Sequence, residues 1–270
     1  MNAKEDPVFA VNYVRAKSVK HAAELLAEHP EAKLLSGGMT LLPTLKQRLA
    51  RPSHLIDIGG LNTLRSIKLA SGKLTIGAGV RHYEVASSPV VKEAIPALAH
   101  LANHIGDPAV RNMGTIGGSL ANNDPAADYP AAALALGATI VTNKRRIKAK
   151  DFFQGLFATA LEDGEIIVRV SFPIPEKAAY EKFPHPASGY AMTGSFVAVT
   201  KRGVRVGITG AAPGVFRWSK AERALKKSLT PDALLKAKVP AEGMNEDIHA
   251  SREYRANLVN VMTRRAVAKL

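Results

Sequence analysis

The sequence predicts a mixed α+β protein built in three successive parts. Three observations predict it. Residues 1–60 alternate strand and helix signals, residues 61–175 combine short strands with Ala- and Pro-rich helical stretches, and residues 176–270, beyond Pro173-Ile174-Pro175, turn to a hairpin followed by helices. With 270 residues, 46% apolar and 22% charged, the chain can bury a sizeable core.

In the first part, residues 8–14 form a short apolar strand. Ser18 then caps an amphipathic helix that carries Ala22, Leu25 and Leu26 and ends near His29-Pro30. Lys33-Leu34-Leu35 reads as a short buried strand running into Ser36-Gly37-Gly38-Met39-Thr40. A helix follows over 41–49, with Pro43 in its first turn where a missing N–H costs nothing, and a strand over 54–58. The second part begins with strands at 67–69 and 74–76 around a Ser71-Gly72 turn, then Gly77-Ala78-Gly79. Helices are expected at 83–87 and 90–105, the latter with Pro96 inside it. A dense Gly/Asn/Asp/Pro stretch, 107–130, is too long for a plain turn and too apolar for a linker. A helix at 131–137, a hairpin of 139–142 with 146–148, and a strand at 166–172 complete this part. In the third, 191–200 and 204–209 read as a hairpin around Lys201-Arg202-Gly203, and helices are expected at 219–228, 232–238 and 251–268.

Composition removes several classes of function. Without cysteine there are no disulfides, thiolate zinc sites, protein-held iron–sulfur clusters or cysteine nucleophiles, so redox work would use a bound cofactor. The net charge is +14, divided as 20 basic against 15 acidic residues up to 175 (+5) and 17 against 8 beyond it (+9). That charge suits nucleic acid, an anionic membrane surface or an acidic protein, but the basic residues are scattered without interleaved aromatics, and nucleic acid is not expected. The first residues hold no apolar leader, and no run approaches the roughly 18 apolar residues of a membrane span. The expected location is the cytoplasm.

Chemistry concentrates in two Gly-Gly pairs, each flanked by hydroxyls: Ser36 and Thr40 around Gly37-Gly38, Thr115 and Ser119 around Gly117-Gly118. Such a pair between a strand and a helix exposes consecutive backbone N–H groups at the positive end of a helix dipole, which suits an anion. Alone, each is an ordinary tight turn; two facing cradles suit a pyrophosphate. No Walker motif is present, and Gly77-Ala78-Gly79 lacks the further glycine of a Rossmann fingerprint. Asp124 and Asp128 follow the second pair. They are placed to accept hydrogen bonds from ribityl or ribose hydroxyls, although Asp124 before Pro125 is also a natural helix cap. His100 and His104 stand at i, i+4, a metal-ligand spacing without a third ligand, and no metal site is expected. Lys144-Arg145-Arg146 reads as a solvated tip and Trp218 as packing. No nucleophile–base constellation supports hydrolysis.

The runs LLSGGMTLLP, LTIGAGV, GDPAVRNMGTIGGSLANNDPAADYPAAALALGA and DFFQGLFATALEDGEII resemble the FAD-binding medium subunit of molybdenum hydroxylases, the carbon monoxide dehydrogenase and xanthine dehydrogenase group. The resemblance covers nearly the whole chain. It implies an FAD-binding PCMH-type, vanillyl-alcohol-oxidase-like fold: two α/β subdomains and a C-terminal domain of antiparallel sheet and helices. FAD would be the cofactor. The partners would be an iron–sulfur small subunit and a molybdenum-cofactor large subunit, in a dimer of heterotrimers, with electrons passing from the clusters through this chain to an external acceptor.

By motif, the resemblance carries Lys33, Leu34, Leu35, Ser36, Gly37, Gly38, Met39 and Thr40 onto the pyrophosphate and ribityl chain, together with Thr115, Ile116, Gly117, Gly118 and Ser119. Gly77, Ala78 and Gly79 would lie nearby. Asp128 would meet ribityl or adenosine hydroxyls, Arg111 and Asn112 would pass close to the isoalloxazine and face the iron–sulfur partner, and Tyr190 would lie near the flavin ring. Met39 replaces a residue that is polar in many members, and the C-terminal domain looks short for the family. The alternatives are a stand-alone flavin oxidase or reductase of the same fold and, from another class, a basic nucleic-acid-binding or scaffold protein.

Overall fold

The computed structural model describes residues 8–270; the remainder of the N-terminal stretch, residues 1–7, lies outside them. The first subdomain is a three-stranded parallel sheet of order β1-β3-β2, made of β1 (Asn12–Arg15), β2 (Lys33–Leu35) and β3 (His54–Asp57). The helix α1 (Val19–Glu28) connects β1 to β2, and Ser18 caps it by accepting the His21 N–H. The short α2 (Leu41–Lys46) follows the first glycine turn. As an edge strand, β2 is half-buried rather than buried.

The second subdomain is antiparallel throughout, with strand order β4-β5-β10-β6-β7. Its first hairpin joins β4 (Ile67–Ala70) to β5 (Lys73–Gly77). Six helices then intervene: α3 (His82–Ser87), α4 (Pro89–Ala94), α5 (Pro96–Asn103), α6 (Pro108–Met113), α7 (Ile116–Asn122) and α8 (Tyr129–Leu136). The chain returns through β6 (Thr139–Thr142), β7 (Arg146–Lys148), α9 (Ala149–Phe152), the small hairpin β8 (Phe153–Gly155) with β9 (Ala158–Thr159), and β10 (Ile167–Pro173). The helix expected over 90–105 is two helices. Pro96 donates no N–H and drives Ile95 out of the helical region (φ −145°, ψ 78°), so the chain restarts there.

The third domain is the antiparallel sheet β11 (Lys177–Pro184), β12 (Ala191–Thr200), β13 (Gly203–Thr209) and β14 (Phe216–Arg217), with α10 (Ser219–Lys227) and α11 (Arg252–Val267). The strand β11 has no counterpart among the elements expected from sequence, and the helix expected at 232–238 is only a 3₁₀ turn, Pro231–Leu234. On one face of this sheet α10 and α11 bury Val197, Val206, Ile208, Leu225 and Val259, with Trp218 in the same cluster. The other face receives α8, whose residues YPAAALAL are buried on every side. That explains its lack of a polar face: an all-apolar helix has sheets on both sides. Phe172 and Ile140 of the second sheet and Phe196 of the third belong to one continuous core around it. Each such side chain contributes roughly 1.5–3 kcal/mol on burial.

Candidate functional site: a cavity between two unlike glycine turns

A cavity of about 520 Å³ opens where the three parts meet. One wall is the turn after β2. Gly38 takes the left-handed conformation there (φ +71°), which lets the chain reverse into α2. From Gly37 to Leu41, five consecutive backbone N–H groups find no acceptor among the described residues, and Thr40, at the N-cap of α2, makes no side-chain cap. Unclaimed amides at the start of a helix form a donor array for an anion.

The opposite wall is the junction of α6 and α7. The two turns touch: Ser36 Oγ lies 3.1 Å from Thr115 Oγ1, and a Cβ on Gly37 would stand 2.1 Å from the Met113 carbonyl oxygen. Glycine at 37 is therefore required by the other wall, whatever occupies the cavity. The second turn departs from the strand-to-helix arrangement expected. Gly117 and Gly118 sit inside the first turn of α7, preceded by a helix, and their amides are engaged. Ile116 N–H donates to Val80 O (3.0 Å), Gly117 N–H to Ala78 O (2.9 Å), Gly118 N–H to Thr115 Oγ1 (3.2 Å) and Ser119 N–H to Thr115 O (2.9 Å). A Cβ on Gly117 would meet that of Ala78 at 2.5 Å, so this glycine serves close approach to the segment after β5.

Of the residues singled out from sequence, Lys33, Leu34, Ser36, Gly37, Gly38, Met39, Thr40, Ala78, Thr115, Gly117, Gly118, Ser119, Asp124, Asp128 and Tyr190 line this one cavity. Leu35, Gly77, Gly79 and Ile116 do not. Gly77 and Gly79 donate to Ser66 O and Leu64 O, and Ile116 is fully buried. Arg111 and Asn112 lie on α6 outside the lining, while their neighbours Val110 and Gly114 line it; Arg111 Nη1 donates to Ile105 O (3.1 Å) and Gly106 O (3.0 Å). Asp124 starts no helix; its Oδ1 accepts the Ala126 N–H at 2.8 Å in a tight turn. Asp128 occupies the N-cap position of α8 without capping it, because its Oδ1 accepts Tyr180 Oη and, at 3.0 Å, Lys182 Nζ. Burial pushes its carboxyl up, and Lys182 and Tyr180 oppose that. Tyr190 is half-buried, and its phenol is pushed up by burial and by Asp124, Asp128 and Asp107.

Sequence reasoning missed His82 and Glu165, which also line the cavity. Burial, then the Arg111 charge, lowers His82 to about 4, so its imidazole is neutral. Its Nδ1 and the nearby Tyr129 Oη are buried without hydrogen-bond partners among the described residues. Glu165 is held down to about 2, chiefly by its hydrogen bonds with Arg145. Arg145 is thus no free tip residue; it also donates to Ala160 O (2.7 Å) and fastens the 160–165 segment. His100 and His104 pack together, and the described residues contain no cluster of three or more His, Asp or Glu able to hold a metal.

Residues 9–175 match the family described as FAD binding domain in molybdopterin dehydrogenase. The chain belongs to the FAD-binding medium subunits of the molybdenum hydroxylase family. It is 34% identical to the glyceraldehyde dehydrogenase medium chain of Sulfolobus acidocaldarius, over 94% of this chain and 96% of that one. It is 35% identical to the carbon monoxide dehydrogenase medium chain of Hydrogenophaga pseudoflava, over 94% and 95%. Among solved structures, quinoline 2-oxidoreductase from Pseudomonas putida superposes with a TM-score of 0.88 at 30% identity, covering 97% of each chain. This medium subunit is therefore an oxidoreductase subunit that uses FAD. Coverage this complete also corrects the expectation of a short C-terminal domain.

The cavity fits that cofactor. Its volume lies in the usual range for cofactor sites, the free amides of 37–41 match a pyrophosphate, and the carboxylates of Asp124 and Asp128 match sugar or ribityl hydroxyls.

Proposed function

We propose that this chain relays electrons within a molybdenum hydroxylase complex, taking them from an iron–sulfur partner and passing them to an external acceptor, while a third, molybdenum-bearing chain oxidises the substrate. The observation that carries the reading is the donor array of Gly37–Leu41 facing the α6–α7 junction across a single cavity. Bound FAD supplies the one- and two-electron chemistry. The chain's own residues bind and orient it: the 37–41 amides hold the pyrophosphate, Thr115 and Ser36 keep the two walls together, and Asp124 and Asp128 accept hydroxyls. Arg111 and Asn112, on α6, lie on the side proposed to face the iron–sulfur chain. The boundaries at 60 and 175, a dimer of heterotrimers and a cytoplasmic place of action belong to the same reading. Among the described residues no helix is long and apolar enough to cross a membrane. The charge of +14 suits an acidic partner surface, since complementary fields speed association.

The test is isolation of the native assembly followed by flavin and metal analysis. One FAD per chain, together with iron, molybdenum and substrate-driven flavin reduction, is expected. Recovery of the chain alone, fully active and without either metal, would place it with stand-alone flavin oxidoreductases. FMN binding as tight as FAD would remove the pyrophosphate cradle.

A further inference from the structure

The third domain lies beyond the stretch that matches the FAD-binding family, yet it reaches into the cavity wall. From β11, Tyr180 and Lys182 point to the same side of the sheet and converge on one carboxylate oxygen of Asp128. Tyr180 is buried, and the Lys182–Asp128 pair has side chains only 5% and 2% exposed. Lys182 Nζ also donates to the His104 carbonyl, which fixes the ammonium between α5 and the start of α8. Both bonds fall on Oδ1; Oδ2 takes no hydrogen bond from the described residues, although Asp128 lines the cavity. One oxygen is thus saturated within the protein, while the other opens on the cavity and is left to accept from a ligand donor there.

We infer that Tyr180 and Lys182 are positioning residues of the flavin site, which hold the Asp128 carboxylate turned so that its free oxygen accepts a cofactor hydroxyl. The inference rests on the cofactor site described above and extends that site to the third domain. The titratable groups around the carboxylate are Tyr180 and Lys182 on β11, Tyr129 on α8, Tyr190 after β11, and His104 after α5. Only Lys182 brings a fixed positive charge into hydrogen-bond contact.

The experiment titrates FAD into the full-length apo chain and its variants by flavin fluorescence, below the unfolding temperature of each. Asp128→Ala is expected to weaken binding by about tenfold or more, and Tyr180→Phe by about threefold to tenfold. In the Asp128→Ala background, Tyr180→Phe should cost no further affinity. Lys182→Met should make affinity rise with pH more steeply than in the wild type, because burial raises the Asp128 carboxyl and the variant removes the charge that opposes it. A Tyr180→Phe loss that persists without Asp128, wild-type binding by Tyr180→Phe, or a Lys182→Met profile no steeper than that of the wild type would each overturn the inference. Should Asp128→Ala bind FAD as the wild type does, the inference falls while the 37–41 cradle stands; a wild-type chain that binds no FAD removes both. Titrations with FMN and ADP separate a ribityl from a ribose hydroxyl: the penalty of Tyr180→Phe should follow only the probe that carries the contacted group.

Discussion

The two glycine pairs share flanking hydroxyls and line the same cavity, but they work in opposite ways. At Gly37-Gly38 the amides are left open and the backbone is bent by a left-handed residue. At Gly117-Gly118 the two amides are consumed by Ala78 O and Thr115 Oγ1, and glycine is needed at 117 because the segment around Ala78 presses against it. One turn offers donors; the other supplies a rigid wall against which those donors are held. A dipeptide motif therefore identifies a place where backbone comes close to something, and only the hydrogen-bond ledger tells whether that something is a ligand or the protein itself.

The sharpest way to break this comparison is to fill the two turns separately. Gly37→Ala places a Cβ 2.1 Å from the Met113 carbonyl and must push the walls apart. We expect FAD affinity to fall by at least about a hundredfold in an equilibrium titration, with a stability loss of about 1–3 kcal/mol from overpacking. Gly118→Ala meets only the Thr115 hydroxyl, at 3.0 Å, and should cost less than about tenfold. Equal effects would mean that the turns do the same work.

The next effect comes from His82, beneath the second wall. Its folded value of about 4 lies below the ordinary 6.5, so the unfolded chain binds the extra proton first. Its contribution is complete above pH 6.5 and is lost as pH falls from 6.5 to 4, on the order of 3 kcal/mol in all. Denaturant midpoints measured across that range should show the slope, and His82→Phe should flatten it. Glu165, held at about 2 against 4.5, adds a further loss only as pH falls from 4.5 towards 2.

A smaller change sharpens the contrast. Thr115→Val removes the cap on Gly118 and the link to Ser36, so thermal unfolding should report a loss of about 1 kcal/mol. FAD affinity should change little, since the freed amide replaces the lost hydroxyl as a donor on that wall. Least of all, Met39→Gln should leave affinity within about threefold, because that turn acts through its backbone.

Much of this is legible in the sequence. The Ser71-Gly72 hairpin, the capped α1 and the Asn143-Lys144-Arg145 turn follow from local turn and cap chemistry, whereas it is the family resemblance that brings both glycine pairs to one site. What stayed hidden depends on partners distant in sequence. The strand β11 carries Tyr180 and Lys182 on its inward face, a polar pattern that looks solvent-exposed until Asp128 is placed opposite it. The engagement of the Gly117 amide depends on Ala78, which enters the same wall from the other side of four helices. His82 carries no local sign of burial; the residue is 4% exposed only because α3 packs against α5 and α6.

The pairing of β5 with β10 joins strands from opposite ends of the second subdomain's sequence, with seven helices between them. Loop closure on that scale makes assembly slow, because the entropy of joining the ends is lost before the contacts form. The cavity draws on β2–α2, the α6–α7 junction, the residues entering β10 and finally Tyr190, so its last wall emerges late during synthesis. The nascent chain has no finished pocket to offer until the third domain has begun to fold. On the proposed site assignment, FAD would load after closure and, by mass action, stabilise the closed topology.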